Sequence, residues 1–189
     1  MMEPHGPAEI SWTHLETPLG PMVAAATAQG LCLLTFAEEA AEALARLRRY
    51  IPGPVIDRWH PLLEQTQEEL TQYFTGQRRT FSVPLLAPGT PFERRVWSEL
   101  LRIPYGETRS YKEIAAAIGR PGAMRAVGLA NGRNRIAIII PCHRVIQHDG
   151  RLGGYGGGIG RKEYLLDLER RARAQTEAPP SGGENPAQA

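Results

Sequence analysis

The sequence predicts an α/β protein of two unlike parts, an N-terminal sheet covered by helices and a mainly helical C-terminal unit. Three observations predict it. Short apolar runs at 22–26 and 31–36, separated by Gly30, read as paired strands. Two helix starts follow in the second half, each a Thr or Ser with a Glu three residues on: Thr90 with Glu93, and Ser110 with Glu113. The charge divides at the same place. Residues 1–87 carry 6 Lys+Arg against 10 Asp+Glu, and residues 88–172 carry 15 against 8. A basic half joined to an acidic one suits a polyanion-binding module with a supporting unit, although a solvated basic surface gives the same count.

In the first half, Ala40, Leu44 and Leu47 recur at helical spacing, as do Leu62, Leu63, Leu70 and Tyr73 before Gly76, so two helices should cover the sheet. Pro84, Pro88, Gly89 and Pro91 then punctuate a stretch that reads as a connection, which places a boundary near residue 88. The expected units are 1–88, 89–172 and a disordered tail at 173–189, rich in Pro, Gly, Ala and Gln. With 189 residues and 42% hydrophobic content, each larger unit can bury a core. No stretch approaches the roughly twenty apolar residues that cross a bilayer, and the opening MMEPHGPAEI lacks the order of a signal peptide. The expectation is a cytoplasmic, monomeric protein without a membrane partner. Cys32 and Cys142 are too few for a disulfide framework or a four-cysteine metal site.

The second half opens on Thr90, with Pro91 suited to the first helical position, and this helix should run to about Ile103. After Pro104-Tyr105-Gly106, a short helix from Ser110 stops at Gly119, and 123–131 is helical again, separated from it by a turn of about three or four residues. That is a helix-turn-helix pattern. Ala123, Ala126, Gly128 and Ala130 line its second helix and would let the backbone approach a partner closely. Tight packing inside a core uses the same residues, and helix-turn-helix units also serve as structural corners, so the pattern alone leaves both readings open.

The chemistry points to Cys142. An apolar run at 136–140 delivers Pro141-Cys142-His143-Arg144-Val145 at its end, which sets a thiol at a core boundary beside a base and a cation. A lone cysteine beside apolar residues is ordinarily inert, so neighbours must decide. A cysteine-phosphatase loop would want arginine six positions on, where His148 stands; no papain-like signature surrounds the residue; and Cys142, His143 and His148 do not make a standard zinc set.

The segments IPYGETRSY, MRAVG, NGRN, IPCHRVI, GGYGGG and KEYLLDLE, spread over residues 103–169, resemble the O6-alkylguanine-DNA alkyltransferase family, also called methylated-DNA-protein-cysteine methyltransferases. The likeness covers essentially all of residues 90–172; the first half resembles that family's ribonuclease-H-like domain more loosely. It implies a ribonuclease-H-like α/β domain followed by a helix-turn-helix domain carrying the reactive cysteine. It further implies direct, irreversible and stoichiometric transfer of the alkyl group of O6-methylguanine, and of O4-methylthymine, from duplex DNA to Cys142, with no cofactor. Cys142 would accept the alkyl group, and His143, bridged by water to the thiol and oriented by Glu169, would draw off the proton. Asn134 would brace the cysteine turn. Arg125 would enter the base stack as the lesion rotates out, on a second helix seated in the minor groove with Ala123, Ala126 and Gly128 at the contact. Tyr111 would turn the 3′ phosphate, hydrogen-bond guanine N3 and donate a proton to the departing base. Backbone carbonyls of Cys142 and Val145 would accept from the guanine amino group, and the amides of Tyr155 and Gly156 would lie near O6.

Two departures stand out. Gly156 occupies a position where many members carry serine, so a side-chain contact to the lesion oxygen is missing. Only Cys32, His5, His14 and His60 are available to an N-terminal zinc site of the kind some members have, so no structural metal is expected. The alternatives are a non-catalytic lesion-sensing DNA-binding protein, whose known examples replace the acceptor cysteine with tryptophan, and a transcriptional regulator, for which small residues on the second helix are poorly suited to major-groove reading.

Overall fold

The computed structural model describes residues 8–177. Strands β1 (Ile10–Leu15), β2 (Met22–Thr27) and β3 (Gly30–Phe36) form an antiparallel meander, and β4 (Val55–Asp57) adds parallel to β1, giving the order β3-β2-β1-β4. Side chains alternate across a strand, so β2 divides its residues between two layers. Val23 and Ala25 face α1 (Ala40–Leu47), and Met22, Ala24 and Ala26 face α2 (Pro61–Phe74) and the second half. The two expected helices therefore lie on opposite faces. A bulge where Ala25 pairs with Leu33 and Ala26 with Leu31 leaves Cys32 extra and turns Leu31 and Leu33 to opposite sides.

The free edge of β3 ties the halves together. Leu31 N donates to Pro84 O at 2.8 Å and Leu86 N to Leu31 O at 2.8 Å, binding the connection to the sheet. A Cβ on Gly30 would come within 2.8 Å of Pro84 O, so glycine is what permits this approach. Farther along the same edge, Leu34 N donates to Arg135 O and Ala137 N to Leu34 O, each at 2.8 Å. The segment that leads to Cys142 is thus hydrogen-bonded to the N-terminal sheet.

In the second half, both expected capping boxes are present, at Thr90/Glu93 on α3 (Pro91–Leu100) and Ser110/Glu113 on α4 (Tyr111–Ala117). Helix α5 (Met124–Gly132) follows. The turn between α4 and α5 is longer than three or four residues. Ile118 already leaves helical geometry with ψ near 8°, Gly119 takes φ +73°, and residues 118–123 together make the link. Trp97 locks α3 to α5, its indole nitrogen donating to Ala130 O at 2.8 Å inside the core. A two-residue parallel pair, β5 (Arg109–Ser110) with β6 (Val145–Ile146), holds the start of α4 beside the cysteine segment. Helix α6 (Ile159–Glu177) closes the fold. Residues 173–177, which composition assigns to the tail, continue α6, and 178–189 lie outside the described residues.

Candidate active site

The apolar run at 136–140 enters as a bridge to β3 and then turns back on itself. Only Ile136 pairs with the sheet; 137–139 form a turn in which buried Ile138 takes φ +70°, a conformation a β-branched residue adopts only under constraint. Asn134 supplies the constraint. Its Oδ1 accepts from Ile136 N at 3.0 Å, and its Nδ2 reaches Ile140 O at 2.8 Å, Ile136 O at 3.3 Å and Cys142 Sγ at 3.1 Å. One side chain thereby shapes the turn and donates to the sulfur at its end.

Cys142 begins a 3₁₀ turn, Cys142–Arg144, and is 6% exposed on the wall of a cavity of about 770 Å³. Burial pushes the thiol above its ordinary value, while the Asn134 hydrogen bond, the Lys162 charge and two backbone amides pull the other way without cancelling it. The next residue faces inward. His143 is fully buried with Nε2 at 2.9 Å from Glu169 Oε1. That contact makes Nε2 the protonated nitrogen of the neutral ring and leaves Nδ1, which has no hydrogen-bond partner among the described residues, as its basic atom. Burial lowers His143 below its usual range despite the adjacent carboxylate, so the ring is a neutral base at physiological pH.

Glu169 lies on α6. Its side chain is fully buried and accepts from Arg144 Nε and Gly106 N on Oε2, and from Arg144 Nη2 and the Tyr73 hydroxyl on Oε1. Burial opposes its charge, but the His143 contact and the fixed Arg144 cation outweigh that and hold the carboxyl at about 2. Arg144 Nη1 also anchors the assembly to Ile103 O at 2.7 Å.

Tyr111 lies on the cavity wall at the start of α4. Burial and the nearby Cys142 raise its phenol above the ordinary value, which keeps it a proton donor. Along α5, Val127, Ala130 and Asn131 pack inward, whereas Met124, Arg125, Ala126 and Leu129 are exposed. Ala123 and Gly128 are half-buried. Arg125 and Gly128 line the cavity mouth, and Ala126 faces outward, so small size at that position serves no internal packing.

The Gly-rich segment forms the opposite wall through Gly153, Gly154, Tyr155, Gly156 and Gly157. Val145 stands apart: it is fully buried behind the wall, and its carbonyl accepts from Lys162 Nζ at 2.5 Å. The Cys142 carbonyl takes a hydrogen bond from Asn131 Nδ2 at 3.3 Å. The Cys142 carbonyl also accepts from Val145 N within the 3₁₀ turn, so neither carbonyl assigned to the guanine amino group is a free oxygen, and that of Cys142 already holds two donors.

Sequence reasoning missed the contribution of the first half. Thr35, Phe36 and Glu39 line the same cavity, with Thr35 Oγ1 donating to Glu39 Oε2 at 3.2 Å. The Phe36 ring lies so close to Gly157 that a Cβ there would sit 2.3 Å from it, and the Arg161 guanidinium stacks over the Phe36 ring at 3.9 Å. Lys162 was also missed. Fully buried, it donates to the carbonyls of Val145 and Leu152, both at 2.5 Å, and burial lowers its ammonium to about 8. Its spacing of seven from Glu169, with Leu165 between them on the buried face, was the signal available.

Two family models match. One, described as the 6-O-methylguanine DNA methyltransferase ribonuclease-like domain, covers residues 10–87, and the other, its DNA binding domain, covers residues 91–171. The chain belongs to the 6-O-methylguanine DNA methyltransferase family. Among similar methyltransferases is the methylated-DNA–protein-cysteine methyltransferase of Methanosarcina barkeri, 47% identical over 155 residues, which span 82% of this chain and 94% of the relative. That of Mycobacterium tuberculosis is 47% identical over 164 residues, 85% of this chain and 93% of the relative. The crystal structure of the M. tuberculosis protein in complex with DNA superposes with a TM-score of 0.74 at 44% identity, covering 87% of this chain and 94% of that one. The two-part architecture of this methyltransferase, sheet first and helical unit second, is the one those relatives have.

Proposed function

We propose that this protein repairs duplex DNA by transferring the alkyl group of O6-methylguanine, and of O4-methylthymine, to its own Cys142, once per molecule. The observation that carries the reading is the cavity-wall thiol whose sulfur accepts from Asn134 Nδ2 at 3.1 Å, next to a buried neutral imidazole braced by Glu169 at 2.9 Å. A nucleophile, a base and an orienting carboxylate are the parts a displacement needs.

The duplex hides O6 in the base stack, so the lesion rotates into the cavity. The reading is supported by the exposed face of α5 at the cavity mouth. Ala126 and Gly128 allow close approach to the minor groove, and Arg125 fills the space the base leaves. The thiol proton passes to His143 Nδ1 through a bridging water, and the imidazolium is stabilised by Glu169. The thiolate lone pair forms the new S–C bond as the C–O6 bond breaks, its electrons passing to guanine. Tyr111, held as a phenol, supplies a proton to the departing base. The thioether product has no adjacent group that would hydrolyse it, so each molecule is consumed.

Incubation with duplex DNA containing O6-methylguanine, followed by intact-mass measurement and peptide mapping, tests this. A gain of one methyl group on Cys142, absent from Cys142→Ala, is the expected result. Tight binding to the damaged duplex without any mass gain would make the protein a lesion sensor instead.

A further inference from the structure

The base that faces Cys142 is held by a carboxylate that also serves the other half of the molecule. Tyr73, on α2, donates its hydroxyl to Glu169 Oε1 at 2.7 Å, the one partner of that hydroxyl among the described residues. The same oxygen lies 2.9 Å from His143 Nε2 and 2.8 Å from Arg144 Nη2. Tyr73, His143 and Glu169 are all fully buried, so water competes for none of these bonds. A carboxylate oxygen shared among three donors gives less of its charge to each.

The charged and titratable groups around His143 come from every packed element: Glu169 and Lys162 from α6, Cys142 and Arg144 from its own turn, Tyr73 from α2, and Tyr105 after α3 with Arg79 over its ring. Tyr105 sits edge-on to Tyr73 with its own hydroxyl buried and without a hydrogen-bond partner among the described residues, so it does not replace the Tyr73 bond. Among these groups Tyr73 is the neutral donor on the oxygen that His143 uses.

We propose that Tyr73 is a positioning residue that sets the proton affinity of His143 through the shared oxygen of Glu169, so that the sheet-bearing half tunes the base acting on Cys142. The proposal rests on His143 being the base in the alkyl transfer described above. Its sign follows from the geometry. Without the phenol, Oε1 binds the His143 Nε2–H more strongly, the imidazolium gains over the imidazole, and proton affinity rises. A general base must be unprotonated before it acts, so the acid-side midpoint of the transfer rate moves to higher pH.

Tyr73→Phe tests this by removing one oxygen while leaving the ring contacts with Phe74, Phe81 and Tyr105, at centroid distances of 5.3, 5.4 and 5.9 Å. Two readouts are followed: the His143 ring titration by NMR, and the pH profile of single-turnover methyl transfer. Both midpoints should rise by about half a pH unit, roughly threefold in proton affinity. Ring-fluorinated tyrosine at position 73, a stronger donor that keeps the hydroxyl, should move both the opposite way, and it decides the matter alone if the Phe variant does not fold. A rate lowered equally at every pH, with the His143 titration unmoved, would reduce Tyr73 to packing and overturn the proposal. If the unaltered protein transfers no methyl group, the repair reading fails, while the NMR titration still settles whether Tyr73 governs His143.

Discussion

Cys32 and Cys142 are both free and both buried, yet they are chemically opposite. Cys32 sits in β3 and donates its S–H to Ala25 O at 3.3 Å, an arrangement that stabilises the thiol. Burial pushes it up to about 12. Cys142 is an acceptor: Asn134 donates to its sulfur, a cation lies close by, and one side of the residue opens on a cavity. The direction of one hydrogen bond, together with a path to the cavity, separates a structural cysteine from the proposed nucleophile.

The largest expected effect breaks the comparison outright if it fails. Iodoacetamide should modify Cys142 in the native protein and leave Cys32 untouched until the chain is unfolded, as read by peptide mapping, and Cys142→Ala should abolish methyl transfer. Equal native labelling of the two thiols would remove the distinction. Next comes Glu169→Gln, which leaves the Arg144 guanidinium buried without its counter-charge and His143 without its carboxylate. Transfer should fall on the order of 10³-fold in single-turnover kinetics, and stability by about 3–5 kcal/mol in urea. The same carboxyl sits at about 2 in the folded protein against an ordinary 4.5. As pH drops, the unfolded chain takes up the proton first, so the stability that Glu169 contributes above pH 4.5 is lost between 4.5 and 2. Urea midpoints measured across that window should converge for the wild type and Glu169→Gln.

Asn134→Ala follows, since it deletes the donor to Sγ, takes one of two hydrogen bonds from each of the Ile136 and Ile140 carbonyls, and removes the acceptor of Ile136 N beside the strained Ile138 turn. A loss of roughly 10²-fold in transfer is expected, with about 2 kcal/mol of stability. Unchanged transfer would mean that the sulfur needs no donor. The smallest effect is a gain. A Cβ at Gly156 would meet its nearest neighbour, Glu39 Oε1, at an ordinary 3.5 Å, so Gly156→Ser fits without displacement and should speed methyl transfer several-fold, on the order of one added hydrogen bond.

Local chemistry was legible in the sequence wherever it was written in consecutive residues. The capping boxes at Thr90 and Ser110, the order of sheet and helices, and the Pro-Cys-His-Arg segment each declare themselves within a few positions. The resemblance added Asn134, Tyr111 and Glu169, and the structure brings them into one cluster with Cys142. What could not be read was contact between distant segments. Tyr73 looks like a core aromatic of an amphipathic helix, and its ring is one; only the hydroxyl, 96 residues from its partner, does anything more. The burial of Glu169 could not be read either, because helical spacing says nothing of an arginine 25 residues earlier in the chain. The α4–α5 link was shortened because the end of a seven-residue helix leaves few periodic positions to count.

The placement of the Phe36 ring flush against Gly157, backed by Thr35 and Glu39, has an evolutionary meaning. The groups that perform the chemistry occupy one half of the chain, and a corner of the other half supplies part of the wall they work behind. Substitutions at that corner alter the room and polarity offered to a substrate while leaving the thiol, its base and its carboxylate as they were. Selection can therefore reshape the cavity at that corner with the groups around the thiol held constant.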